Sequence, residues 1–251
     1  TRDHLDYHKT MRAYHQVKMG WLKKPFGIAI APRDWKKQDL RDFKIPLLGH
    51  FNYENIQAAV AMARALQIPE LQIKKAVAQL KPVPGRFEHI LAPSAKKLRF
   101  QKFWVLVDYA HTPDGLKNVL NTCRLMLKKQ RMPGKLITVF GCGGDRDRTK
   151  RPLMGQAVKK FSHYGILTND NPRFEDPQQI FGDTLKGIGH WRNFEIIPDR
   201  KLAVFKAMDL AQAGDIVMIA GKGHEAYQII KNQRLHYSDK ATVLEYFKTH
   251  A

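Results

Sequence analysis

Several short polar strings carry the residues of this chain that have chemistry to offer. Gly141-Cys142-Gly143-Gly144-Asp145-Arg146-Asp147 follows the apolar run LITVF and precedes a helical stretch. Glycines let backbone amides approach a ligand, and the start of a helix favours an anion. Arg146, Arg148, Lys150 and Arg151 supply cations at the same place. The spacing is neither G-x-G-x-x-G nor a P-loop, so an anion cradle and a tight turn with solvated charges are equally open. In Asp170-Asn171-Pro172-Arg173, Asp and Asn start turns, Pro stiffens them, and the arginine offers a fork for a carboxylate. An ordinary Asx turn is the simpler reading of that string alone. Asp108-Tyr109-Ala110-His111-Thr112-Pro113-Asp114 has the same ambiguity, because Asp and Thr also cap helices. Gly221-Lys222-Gly223-His224-Glu225 lacks the G-x-x-x-x-G-K-[ST] frame and is not a nucleotide P-loop. His4 and His8 stand beside Asp3 and Asp6. Such a set can hold a metal, although a polar chain entry is the commoner meaning.

The elements between these strings alternate in period. Apolar spacing predicts helices over 53–67 and 70–80, the second opened by Pro69 and Glu70 and ended before Pro82. Pro82-Val83-Pro84-Gly85 is a turn and a candidate domain joint. Beyond it, strands are expected at 103–107, 136–140, 165–168, 194–197 and 215–220. Helices are expected at 113–129, 151–161, 177–187, 202–213 and 239–248, with an edge hairpin formed by 227–230 and the segment near Leu235. Strands alternating with helices imply right-handed crossovers and an α/β fold with a mostly parallel, doubly wound sheet. Ligands in such folds bind at the carboxyl ends of the strands. The strings at 108–114, 141–151, 170–173 and 221–225 each follow a strand, so they should converge along one edge.

Composition narrows the class. A chain of 251 residues, 43% hydrophobic, suits one large or two modest globular domains with real cores. No apolar stretch is long enough to span a bilayer, and the polar start TRDHLD does not read as a signal peptide. Cys123 and Cys142 provide neither a disulfide framework nor metal-site spacing, which fits a reducing compartment. The net charge of +20 would attract polyanions. The basic residues are spread out, however, in short pairs such as Lys23-Lys24, Lys36-Lys37 and Lys128-Lys129. No basic helix face interleaved with aromatics stands out, so a solvated surface is favoured over nucleic-acid binding. The first residue is Thr, which suggests processing or a piece of a longer protein.

Together these strings resemble the Mur ligase family, and within it the ligases that act on UDP-N-acetylmuramoyl-dipeptides. The resemblance runs through TRDHLDYH, LLGHFNYEN, PVPGRFE, DYAHTPD, GCGGDRDRTKRPLMG, TNDNPR and AGKGHEAYQ, in the family's order and spacing from Phe51 onward. It implies a remnant of a central ATP-binding domain at 1–86 and a C-terminal, Rossmann-like, amino-acid-binding domain at 87–251. It also implies an activity, the ATP- and Mg²⁺-dependent joining of meso-diaminopimelate to UDP-MurNAc-L-Ala-D-Glu through an acyl phosphate, in the cytoplasm, with no nucleic-acid or membrane partner. Lys18 matches a lysine that is carbamylated in the family and then holds Mg²⁺. His4 matches a metal-ligand histidine. Asn52 and Asn55 match nucleotide-contacting positions, and Arg86 and Asp108 resemble residues near the phosphates and ribose, Arg86 also with a catalytic part. Arg146, Asp170, Asn171, Arg173, Gly221 and Glu225 match positions that grip the incoming amino acid. The Asp-Asn-Pro-Arg form resembles ligases that add meso-diaminopimelate, whose extra carboxylate needs a cation. The family's UDP-sugar domain, its P-loop and a metal-binding glutamate upstream of DHLD have no counterpart in these residues, and the stretch between Lys18 and Leu47 is shorter than usual. A missing N-terminal part would therefore be a partner, and a truncated, non-catalytic amino-acid or nucleotide-binding module is the alternative.

Overall fold

In a computed structural model, which describes residue 8 and residues 10–22, 30–93, 102–129 and 134–250, the apolar runs beyond Val83 become strands of one sheet. The chain divides into two compact units, the division falling between Pro82 and Val83.

The first unit contains α1 (Met11–Leu22), α2 (Pro32–Trp35), α3 (His50–Ala65) and α4 (Glu70–Ala78). Its apolar centre is formed by Leu40, Phe43, Ile56, Val60, Ile73 and Val77. Ile56 and Val60 stand four apart, as do Ile73 and Val77, so each helix buries one face. α3 begins three residues earlier than its apolar spacing indicates, directly after Gly49, whose φ of 97° breaks the preceding chain direction.

The second unit runs β1 (Glu88–His89), β2 (Trp104–Asp108), α5 (Pro113–Lys129), β3 (Leu136–Phe140), α6 (Lys150–Phe161), β4 (Tyr164–Leu167), α7 (Pro177–Ile188), β5 (Phe194–Ile196), α8 (Arg200–Leu210), β6 (Ile216–Ala220), β7 (Tyr227–Ile230), β8 (Gln233–His236) and α9 (Asp239–Thr249). Among the described residues the main sheet has six strands in the order β1-β2-β6-β3-β4-β5. β1 is antiparallel to β2, and the other pairings are parallel. β1, only two residues long, leaves no pattern in the sequence.

Both faces of the sheet are covered, which is why β6 reads as an unbroken apolar run and β3 is interrupted only by the buried Thr138. Val105, Val107, Ile137, Val139, Val217 and Ile219 pack with Ala203, Val204 and Met208 of α8 and Val243 of α9. The alternate residues Leu106, Leu136, Phe140 and Met218 are also buried and by alternation point to the face carrying α5 and α6. Asp176, Asp199 and Ser238 cap α7, α8 and α9 through their side chains, so α8 starts two residues before its expected position.

The hairpin differs from expectation. β7 and β8 form a separate two-stranded sheet rather than an edge of the main one. The backbone of Arg173, at φ 54°, receives β7 instead: Arg173 N donates to Ile229 O at 3.1 Å and Lys231 N donates to Arg173 O at 2.7 Å.

His89 in β1 places its ring 4.6 Å from that of Trp104. Its Nε2 is buried and has no hydrogen-bond partner among the described residues. Burial pulls its pKa from 6.5 down to about 4. The unfolded chain takes up a proton near pH 6.5 and the folded chain does so only near pH 4. This contribution is complete above the upper value and is lost as pH falls through the window. His89→Phe should therefore flatten the stability–pH curve between those values in urea titrations. A curve of unchanged slope would show that other groups produce it.

Candidate functional site

Since β2, β6, β3 and β4 run parallel, their carboxyl ends share one edge, and the polar strings emerge there side by side. The loop after β3 is locked to the loop after β4. Gly144 N donates to Asn171 O at 2.9 Å, and Arg173 Nη1 donates to Gly144 O at 2.8 Å. Asp145, at φ 51°, accepts from Phe174 N at 3.1 Å and donates its own amide to Glu175 Oε2 at 3.1 Å.

Beneath these loops lies Arg151, whose side chain is 0% exposed. It binds Glu175 in bidentate fashion, both contacts at 2.6 Å, reaches Asp183 Oδ2 at 3.1 Å and donates to Gly143 O at 3.2 Å. The Arg151 hydrogen bonds hold the Glu175 carboxyl below its ordinary pKa. The sequence showed Arg151 only as one of four cations beside the glycine-rich string, and its ion pairs to Glu175 and Asp183 carried no sequence signal.

The loop after β6 closes the rim from the other side. Glu225 Oε2 accepts from Asn171 Nδ2 at 3.0 Å and from Lys222 Nζ at 3.3 Å. Asn171 is fixed further by Ile229 N, which donates to its Oδ1 at 2.9 Å. Gln228 Nε2 donates to Asp170 O at 2.7 Å. Gly221, at φ 118°, has room for no side chain, because a Cβ there would meet Asp170 Oδ2 at 2.7 Å. Asp170, Asn171, Arg173, Gly221 and Glu225 are thus brought together. Arg146 is exposed, its Nη1 donating to Asp145 O at 3.0 Å. Arg146 and Arg173 both flank Gly143, since a Cβ on that glycine would lie 3.9 Å from Arg146 Cγ and 3.2 Å from Arg173 Nη1.

Tyr109 lies between the two residue sets that the resemblance distinguishes. Its ring carries the guanidinium of the exposed Arg86 at 4.6 Å, and its hydroxyl is 3.4 Å from Glu225 Oε1. Arg86 is aimed by its neighbours. Gly85, at φ 66°, packs so closely on the Gly223–His224 backbone that a Cβ would overlap it, and Phe87 N donates to Asp108 Oδ2 at 2.7 Å. Asp108 Oδ1 accepts from Ala110 N at 2.7 Å. Its carboxylate therefore serves the chain's own turn, and burial raises its pKa.

The remaining candidates belong to the first unit or lie outside the described residues. Asn52 and Asn55 sit on the first turns of α3, where Asn52 Nδ2 donates to Leu48 O at 2.7 Å and Asn55 is exposed. Lys18 is an exposed residue of α1 with its Nζ 5.7 Å from the Tyr14 ring centre. His4 lies outside the described residues. Among the described residues no group of three His, Cys, Asp or Glu side chains is placed to hold a metal. Charged forks and backbone amides at one rim, with carboxylates opposite, suit a small zwitterion carrying more than one carboxylate.

Residues 85–223 match the family described as Mur ligase, glutamate ligase domain. The UDP-N-acetylmuramoyl-L-alanyl-D-glutamate--2,6-diaminopimelate ligase of Syntrophomonas wolfei is 36% identical over 293 residues, covering 98% of this chain and 58% of the relative. The ligase of the same name from Aquifex aeolicus is 39% identical over 286 residues, covering 98% of this chain and 56% of the relative. A solved structure of a ligase with this name matches 83% of this chain and 40% of its own, at 44% identity and a TM-score of 0.60. The chain spans a little over half the length of these curated relatives. Both alignments are longer than the chain, so the relatives carry residues within them that have no counterpart here.

Proposed function

The chain belongs to the Mur ligase family, and from that premise we propose that it carries the amino-acid-binding part of an ATP-dependent ligase of peptidoglycan precursor synthesis. Its substrates on this reading are UDP-MurNAc-L-Ala-D-Glu and meso-diaminopimelate, met in the cytoplasm. The observation that carries the reading is the gathering of Asp170, Asn171, Arg173 and Glu225 at one rim of the sheet.

Glu225 and Asp170 accept from an ammonium group of the amino acid. Arg173, with Nη1 already committed to Gly144 O and Asn171 O, is pre-aimed and offers its remaining N–H groups to the distal carboxylate, with Arg146 beside it. ATP supplies the phosphoryl group that turns the dipeptide's terminal carboxylate into an acyl phosphate. After giving one proton to water, the group held by Glu225 attacks that carbonyl carbon as a neutral amine; the tetrahedral intermediate expels phosphate, and its nitrogen sheds a second proton to leave the amide. Holding the amine in place converts a bimolecular encounter into a positioned one. Asn52, Asn55 and Arg86 are the residues we assign to the nucleotide, with Asp108 fixing the turn that presents Arg86. His4 and Lys18, the latter as a carbamate, are the metal-side residues of the reading and rest on the resemblance. The first unit is then the end of the central ATP-binding domain, and the P-loop and UDP-binding parts come from sequence beyond these residues.

Calorimetry with meso-diaminopimelate and with L-lysine tests the reading. Arg173→Ala should cost about 1.5–3 kcal/mol of affinity for meso-diaminopimelate, the range for hydrogen bonds to charged groups. Lysine, which lacks the second carboxylate, should lose much less. An unchanged dissociation constant for meso-diaminopimelate would remove Arg173 from the site. Binding is expected of a ligase part and of a non-catalytic module alike, whereas ATP-dependent ligation by the chain alone would exclude the module.

A further inference from the structure

Lys222 lies in the middle of the rim with its side chain 0% exposed, and the roles assigned above leave it without a task. A buried ammonium persists only when its hydrogens find acceptors and its charge a counter-charge. Lys222 Nζ donates to Tyr227 O at 2.8 Å, to Asn171 Oδ1 at 2.9 Å and to Glu225 Oε2 at 3.3 Å, with Asp170 Oδ1 at 3.9 Å. One cation thus ties the loop after β4, the loop after β6 and the first residue of the hairpin. Burial lowers its pKa, and the neighbouring Asp170 and Glu225 oppose that shift.

The arrangement is asymmetric at Glu225. Oε2 takes both Lys222 Nζ at 3.3 Å and Asn171 Nδ2 at 3.0 Å. Oε1 has, among the described residues, the Tyr109 hydroxyl at 3.4 Å, long for an O–H···O bond. A carboxylate anchored through one oxygen keeps a fixed plane and leaves the other with accepting capacity. Without the lysine, Glu225 Oε2 keeps only the amide of Asn171 as an anchor among these contacts, and two neighbouring carboxylates, those of Asp170 and Glu225, lose the cation between them.

We infer that Lys222 is a positioning residue for amine recognition, holding Glu225 by Oε2 so that Oε1 is the acceptor for the ammonium group of the incoming amino acid. The inference rests on the amino-acid-binding reading and adds the residue that makes one oxygen of Glu225 specific for an amine.

The test compares two ligands on the 251-residue chain: meso-diaminopimelate, and pimelate, which has the same carboxylates and no amine. In Lys222→Met, affinity for meso-diaminopimelate should fall about ten- to hundredfold. Affinity for pimelate, which depends on the arginines, should change by less than about threefold, within the few tenths of a kcal/mol expected when no contact is lost. An equal loss for both ligands would mark Lys222 as a purely structural tie and overturn the proposal, as would unchanged meso-diaminopimelate affinity. If the unaltered chain binds neither ligand, the amino-acid reading falls first and the proposal with it. Should Lys222→Met fail to fold, Glu225→Gln and the double variant K222M/E225Q replace it, because together they relieve the stranded carboxylate. Equal meso-diaminopimelate affinity in those two is expected if Lys222 acts through Glu225, and a further loss of about tenfold in the double variant would refute it.

Discussion

Asp239→Ala should lower the stability of the folded chain by about 3–5 kcal/mol, the cost of removing one partner from a buried ion pair. Asp239 and Arg200 are each 0% exposed in their side chains. Arg200 Nε meets Asp239 Oδ1 at 2.8 Å and Nη2 meets Oδ2 at 2.8 Å. Tyr237 donates its hydroxyl to Oδ1 at 3.0 Å, and Arg200 Nη2 also donates to Ala220 O at 3.0 Å. Alanine would leave a guanidinium in the interior with backbone carbonyls as its only near acceptors among these contacts. The pair joins the first turn of α8 to the first turn of α9 and grips the last residue of β6, next to Gly221. Its loss should therefore also loosen the rim. Urea unfolding at neutral pH reads the effect. The double variant R200M/D239L should recover most of the loss, because a well-packed apolar pair in place of a buried ion pair is often neutral. A single-variant loss under about 1 kcal/mol, the ceiling for exposed pairs, would mean that water reaches the guanidinium.

Arg151→Met is expected to cost about 3 kcal/mol, the lower end of the same range. Its removal strands Glu175 and Asp183, but Arg148 Nε already lies 2.9 Å from Asp183 Oδ2 and can take over part of the neutralisation. The consequence at the site should be larger than at the surface. Glu175 holds the Asp145 amide at 3.1 Å, and Arg151 holds Gly143 O at 3.2 Å, so the loop that presents Arg146 loses its floor. Hydrogen exchange should accelerate at the amides of Gly144 and Asp145 while the strands β3 and β6 remain protected. Exchange at those two amides unchanged from the parent chain would show that the Gly144–Asn171 and Arg173–Gly144 bonds hold the loop alone. Arg151→Lys should not restore the parent behaviour, since an ammonium has no planar fork for the two oxygens of Glu175.

Much of the layout was legible in the residues. LITVF, apart from Thr138, and IVMIA are apolar because parallel strands are covered on both faces, and the alternation with helical stretches implied the crossovers that put the polar strings at one edge. The division between the two compact units falls within Pro82-Val83-Pro84-Gly85. The hairpin was legible as a pair of strands but not as a separate sheet, because its attachment depends on Arg173 adopting a left-handed backbone, which an arginine does not announce. β1 was too short to carry a period.

By itself the sequence determined the α/β class, the order of most strands and helices, the edge where the polar strings gather and the residue types present there, because these follow from periodicity and from what glycine, proline and capping residues permit locally. Only the tertiary structure decided which charges are interior and what each one holds. No local pattern marks Lys222, Arg151 or Arg200 as interior, yet all three side chains are 0% exposed. Asp108, a candidate for the nucleotide, also accepts from the amides of Phe87 and Ala110, and the Phe87 contact comes from 21 residues away. The partners responsible are far along the chain, 24 residues from Arg151 to Glu175 and 39 from Arg200 to Asp239, and no local pattern couples residues at such distances. A buried charge is defined by the acceptors that surround it, and those are brought together by the packing of loops at the sheet edge.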